Sequence, residues 1–306
     1  MTMPNRAFAC AGTSQGHMDD VSKSFTVPSV FGLLTGHGIA WKIYGDTSSP
    51  LTKLNFPDTH TAAAGHFGVF TDFQADAAAG RLPAFAFLEP SWSSTGNSQH
   101  PNYNVASGEQ FLLDVYHAVA NGPGWPRTLL IITYDEHGGC YDHVSPPWGA
   151  TPPDHSVGEF GFDFTRFGPR VPTVLVSPLI PAGRVLRAAQ GTPPFDHTGI
   201  LATIKHRWSL PALTARDAAA PHVGDVLSLA TPRTDAPLAG VGAPTPPPTP
   251  HQMAEQPSHL QQIQAELLAS VGGRAGGPPT DLHTNRDYQR YIASATPSGR
   301  PDADGN

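Results

Sequence analysis

Cysteine is scarce in this chain: Cys10 and Cys140 are the only two in 306 residues. That is too few for a disulfide framework. The two residues form no C-x-x-C arrangement, which leaves either one bridge or two free thiols. Long apolar runs are missing as well, since no stretch approaches the roughly 18 residues needed to span a bilayer. The N-terminal residues show no charged region followed by an apolar stretch, so no export signal is read in them, and compartment stays open. Cations are few. Lys and Arg number 18 against 25 Asp and Glu, a net charge of −7, and no Lys/Arg run appears. This balance argues against a nucleic-acid partner.

What the chain does have is a 39% hydrophobic fraction, enough for one substantial core, and 15 histidines. Histidine is the common acid or base near neutral pH and a frequent metal ligand. Many of these histidines stand beside acids or glycines.

Strand-like and helix-like segments alternate along the chain. A helix around Ile39 is expected to lead into the strand "AWKIY", with Gly36 and Gly38 at the join. The Ala-rich stretch before Gly80 reads as a helix followed by the strand "AFAFL". Ser107 is expected to cap a helix that ends near Gly122, ahead of a strand over 128–134. Another short strand falls at 172–178, and a helix runs through "HTGILATIKHRW". This alternation predicts an α/β fold, with a mainly parallel central sheet covered by helices on both faces. Residues 234–306 change character and read as a Pro/Gly-rich, partly disordered tail. One short helix is expected there, on the apolar positions 260, 263, 267 and 268.

In such sheets the binding residues gather beyond the carboxyl ends of the strands. There the chain carries "ITYDEHGGCYDHVSPP", residues 132–147. Two adjacent carboxylates, Asp135 and Glu136, repel each other unless something positive lies between them, so they suit a divalent cation. Gly138 and Gly139 permit a tight turn. His137 and the Asp142–His143 pair add nitrogen ligands or hydrogen-bond donors for an oxyanion, and the plain alternative is a polar loop held by structural hydrogen bonds.

The stretch "DEHGGCYDHVSPP" resembles the signature of the phosphoesterase family that contains bacterial phosphatidylcholine-hydrolysing phospholipase C, plant non-specific phospholipase C and an acid phosphatase. "TMPNRAFACAGTSQG", "LPAFAFLEPSW" and "PFDHTGILATIKHRW" resemble further family segments in the same order. The resemblance covers about residues 1–215. It implies an alkaline-phosphatase-like fold and a catalytic domain over residues 1–233. It also implies that Thr2 attacks phosphorus to give a covalent intermediate, with His137 and His197 as catalytic partners. Asp135 and Glu136 correspond to metal-binding or activating acids. Arg6, His143 and His100 are implied contacts for the substrate phosphate, and Asp142, Asp196 and Glu89 support them.

The implied cofactor is a divalent metal ion; carboxylates suit Ca, Mg or Mn, and histidines admit Zn. The implied substrate is a phospholipid or a small phosphoester, with contact at a membrane surface. The family's Glu- and Asn-containing metal segment is absent ahead of Thr2, so the chain reads as N-terminally incomplete. Three activities are compatible with these residues: phospholipase C, acid phosphatase, and an inactive module that binds a phosphate or headgroup.

Overall fold

The computed structural model describes residues 1–22, 24–93, 96–101, 103–245, 256–274 and 276–295. It divides into two compact units. The first comprises Met1–Val21, Phe25–His37 and Gly124–Pro237; the second comprises Ser22–Ser24, Gly38–Pro123 and Leu238–Asn306.

Helix α1, Thr2–Ala11, opens the first unit and buries Met3, Ala7, Cys10 and Ala11 along one stripe. Gly12 ends it at φ 73, and its N–H returns to Phe8 O at 3.1 Å. A Cβ there would lie 2.7 Å from Thr214 Oγ1, so both the backbone angle and the close approach require glycine. Helix α2 follows at Val30–Gly36, capped by Ser29, whose side chain accepts from Phe31 N. The helix expected around Ile39 thus ends before that residue. Its apolar side is carried by Val30, Phe31 and Leu34, and the cap at Ser29 sets where it begins.

The second unit begins with strand β1, Trp41–Gly45, then the short helices α3, Leu51–Asn55, and α4, Pro57–His60. Strand β2, Phe67–Val69, helix α5, Phe70–Ala78, and strand β3, Phe85–Leu88, come next. β1 is central and runs parallel to both neighbours, with Ile43 paired to Phe67 on one side and to Phe87 on the other. Helix α5 packs on β1 and β2, and Gly80 at φ 65 ends that turn of chain. Helix α6, Val105–Ala120, lies against α5. Its cap is Asn104, which accepts from Ala106 N at 3.0 Å, in place of the expected Ser107.

The fold is mixed α/β, but its strands are not gathered into one sheet. Strands β4, Leu130–Thr133, and β5, Thr173–Val176, form a separate antiparallel pair in the first unit. A parallel return requires a crossover, usually a helix. Residues 134–172, which join β4 to β5, contain no α-helix, only a 3₁₀ turn at Glu159–Gly161 and an isolated antiparallel bridge between Trp148 and Arg166. Helix α7, Thr198–Trp208, follows as the pattern predicts and packs on α1, and helix α8, Ala215–Ala219, packs on α7.

In the second unit the expected helix is present as His259–Val271, and it buries Leu260, Ile263, Leu267 and Leu268. Gln264 Nε2 donates to Ser49 O at 3.0 Å, and Gln261 Nε2 donates to Asn285 Oδ1 at 2.7 Å. Asn285 opens another helix, Asn285–Ala295. Residues 246–255 and 296–306, part of the segment expected to be disordered, lie outside the described residues. Cys10 is buried and Cys140 exposed, and no disulfide joins them.

Candidate active site

Strand β4 delivers Asp135 and Glu136 just beyond its carboxyl end, as expected. The chain then turns sharply. Gly138 and Gly139 take φ 63 and 74, and Cys140 N donates to His137 O at 3.0 Å. Glu136 Oε2 accepts from Gly138 N at 2.8 Å and lies 3.4 Å from His137 Nδ1. The Met1 backbone nitrogen is 3.8 Å from the same oxygen. The start of α1 and the acidic turn are therefore neighbours.

Thr2, the first residue of α1, is 2% exposed. Helix N-termini carry partial positive charge and free N–H groups, which favour anions. Asp20 takes up one of these donors, accepting from Met3 N at 2.8 Å. Arg6 is half-buried and stands one turn beyond Thr2, on the same side of the helix.

His197 is the residue before α7, and its Nε2 lies 2.7 Å from Asp135 O. A carbonyl oxygen only accepts, so Nε2 carries the hydrogen and Nδ1 is the ring nitrogen left for chemistry. Asp196 holds this turn in place. One of its oxygens accepts from Thr198 N at 2.9 Å and Thr198 Oγ1 at 2.6 Å, and the other accepts from Arg216 Nε at 2.7 Å. Arg216 is nearly buried. It also donates to the Thr151 and Phe164 carbonyls and lies over the Phe167 ring at 4.5 Å. A run of contacts thus links Arg216 through Asp196 and His197 to the backbone of Asp135.

Asp142 has a structural partner. Arg170 grips both its oxygens, at 2.9 and 2.8 Å, and this guanidinium, helped by the Val144 N–H, holds the carboxyl well below the usual carboxylate range. His143 is largely exposed, with its ring 3.8 Å from Asp142. Glu89 and His100 belong to the second unit. Glu89 is 3% exposed and accepts from Leu51 N at 2.8 Å and Thr52 N at 2.9 Å, so it caps α3. The His100 ring stands edge-on to Tyr103, with centroids 6.3 Å apart.

The first unit therefore brings together the start of α1, the 135–137 turn and His197. Among the described residues no group of three or more His, Cys, Asp or Glu side chains is disposed to hold a metal ion. Glu136 already serves Gly138 N–H, and Asp142 is occupied by Arg170. These side chains do not by themselves complete a divalent-metal site. Arg170, Arg216 and Asp20 escaped the sequence reading because their partners lie at separations that no local spacing encodes.

The model described as "Phosphoesterase family" matches residues 1–211. The chain belongs to the phosphoesterase family. This phosphoesterase is 38% identical over 255 residues to non-specific phospholipase C6 of Arabidopsis thaliana, covering 78% of this chain and 49% of that protein. Against non-specific phospholipase C4 of the same plant it is 32% identical, over 90% of this chain and 53% of the relative. Phospholipase C A of Mycobacterium tuberculosis is 29% identical over 64% of this chain and 42% of its own length. The phosphoesterase spans about half the length of these curated relatives.

Proposed function

We propose that this phosphoesterase hydrolyses the headgroup phosphodiester of a phospholipid, in the manner of a phospholipase C, through Thr2. An alkaline-phosphatase-like fold is part of the proposal. The reading is carried by one observation: the chain entering α1 lies 3.8 Å from the Glu136 carboxylate, which puts Thr2 next in sequence to a group touching the acidic turn. The names of the relatives, all phospholipases C, support the substrate class.

The chemistry requires a nucleophile, a proton acceptor on its side, and a proton donor on the opposite side of phosphorus. Glu136 lies beside His137 Nδ1, so it orients the ring and stabilises its cation. His137 Nε2 takes the proton from Thr2 Oγ as the Oγ–P bond forms. The P–O bond to the lipid alcohol breaks, and His197, entering this step as the imidazolium with Nε2–H held by the Asp135 carbonyl, gives its Nδ1 proton to the departing oxygen. Water then attacks the phosphothreonine diester, giving its proton to His197. The Oγ–P bond breaks and Thr2 recovers its proton from His137. Arg6 and the N-terminal turn of α1 bind the negative phosphoryl oxygens throughout.

The test is release of nitrophenol from p-nitrophenylphosphorylcholine. Thr2→Ala abolishes it, and Thr2→Ser, which keeps the hydroxyl, retains a substantial part. Equal rates for Thr2→Ala and the parent chain would refute the reading.

A further inference from the structure

Beyond the proposed catalytic groups, the turn continues into a strip of exposed apolar and aromatic side chains. Tyr141 is 92% exposed, Trp148 69% and Val144 39%. Large side chains displayed this openly within eight residues are an exception to ordinary burial and mark a contact surface. The strip is also braced. Trp148 pairs with Arg166 as an isolated antiparallel bridge, Phe167 N donates to Pro147 O at 3.0 Å, and Arg166 Nε donates to Pro146 O at 3.2 Å. Arg170 clamps Asp142 from the same returning segment. The aromatic groups are therefore presented by backbone that is already ordered, which limits the entropy lost on contact.

The charge on the strip indicates what it contacts. The Arg166 guanidinium lies 5.0 Å from the Trp148 ring centre, and the hydrogen bond of its Nε goes to a backbone carbonyl, Pro146 O. A guanidinium held against an exposed Trp ring matches the level of a bilayer where phosphates meet the first methylenes. Aromatic rings settle at that depth, and a guanidinium binds phosphate oxygens. No helix among the described residues is long and apolar enough to cross a membrane.

We propose that the strip formed by Tyr141, Val144 and Trp148 with Arg166 docks this chain on a phosphatidylcholine bilayer, beside the turn that carries Glu136 and His137. The proposal rests on the phospholipase reading for its choice of lipid. It goes beyond that reading in naming the residues that make the surface contact.

The experiment is co-sedimentation of the purified 306-residue chain with phosphatidylcholine vesicles, run beside hydrolysis of soluble p-nitrophenylphosphorylcholine. The Tyr141→Ser/Trp148→Ala double variant should need more than about tenfold more lipid for half binding, given the apolar area each ring buries. Its hydrolysis of the soluble ester should be unchanged. Tyr141→Ser alone, at an almost fully exposed position, should give a smaller shift with no effect on folding by circular dichroism. Vesicle binding equal to that of the parent chain, or a parent chain that does not sediment with vesicles, would overturn the proposal. So would a lipid-free dimer that the double variant abolishes, because the strip would then belong to a second copy. If vesicle binding falls in the variant while even the parent chain fails to hydrolyse the soluble ester, the docking surface stands and the enzymatic reading falls.

Discussion

Replacing Arg216 by Met removes the group on which the His197 turn depends. Arg216 is 8% exposed, and its guanidinium bonds to one Asp196 oxygen and to the Thr151 and Phe164 carbonyls. Methionine fills similar volume but leaves these three acceptors without that donor. Removing one partner of a buried pair costs about 3–5 kcal/mol. Asp196 keeps its two bonds from Thr198 and some contact with water, so the lower end applies, about 3 kcal/mol. Asp196→Asn keeps the acceptor that caps α7 but faces a guanidinium without its countercharge, at a cost of about 2 kcal/mol. If the two residues act on each other, the double variant should cost about 2 kcal/mol less than the sum of the singles. Urea unfolding at neutral pH measures all four proteins, and an unchanged slope confirms that stability alone has changed. Because His197 follows Asp196 and holds the Asp135 carbonyl, Arg216→Met should also lower ester hydrolysis by about tenfold. A loss below about 1 kcal/mol, or additivity within about 0.5 kcal/mol, would refute the coupling.

Two other changes probe groups to which the proposed steps assign no role. Glu89→Gln keeps one oxygen acceptor for α3 but removes its charge, and should lower stability by about 1–2 kcal/mol in thermal or urea unfolding. Hydrolysis of p-nitrophenylphosphorylcholine by the folded Glu89→Gln protein should stay within about twofold of the parent, and a much larger loss would show that Glu89 does more than cap a helix. Burial of Asp154 alone would raise its pKa, but the Thr13 hydroxyl at 2.6 Å and the Ser156 side chain and N–H outweigh that, so its pKa is lowered. A lowered folded pKa contributes stability above the unfolded value of about 3.9, and the contribution is lost as pH falls through the folded value. The stability gap between the parent and Asp154→Asn, about 1 kcal/mol at pH 7, should therefore shrink below about pH 4. A gap constant across that range would contradict the assignment.

Sequence periodicity carried the local elements well, because burial enforces it. The helix His259–Val271 buries the four apolar positions its spacing marks, and β3 and α7 lie where their apolar runs and punctuation suggest. The glycines after Glu136 announced the turn they make, since each takes a positive φ. Sheet organisation was less legible. The apolar runs at 130–133 and 173–176 look alike whether they pair in parallel or antiparallel, and the connection between them decides. In the candidate site, Asp135, Glu136 and His137 could be found because one turn carries them together. The longer-range contacts of the first unit could not: Arg216 on Asp196, Arg170 on Asp142 and Asp20 on the first turn of α1 are joined only by folding. Glu89 shows the reverse case, in which a motif position carries a helix cap.

The account turns most directly on where the reacting phosphorus becomes attached. Quenching the chain during turnover of p-nitrophenylphosphorylcholine and mapping its peptides by mass spectrometry should find phosphorylcholine on Thr2, with none on the Thr2→Ala protein. Attachment at another residue, or turnover by Thr2→Ala at the parent rate, would contradict the account.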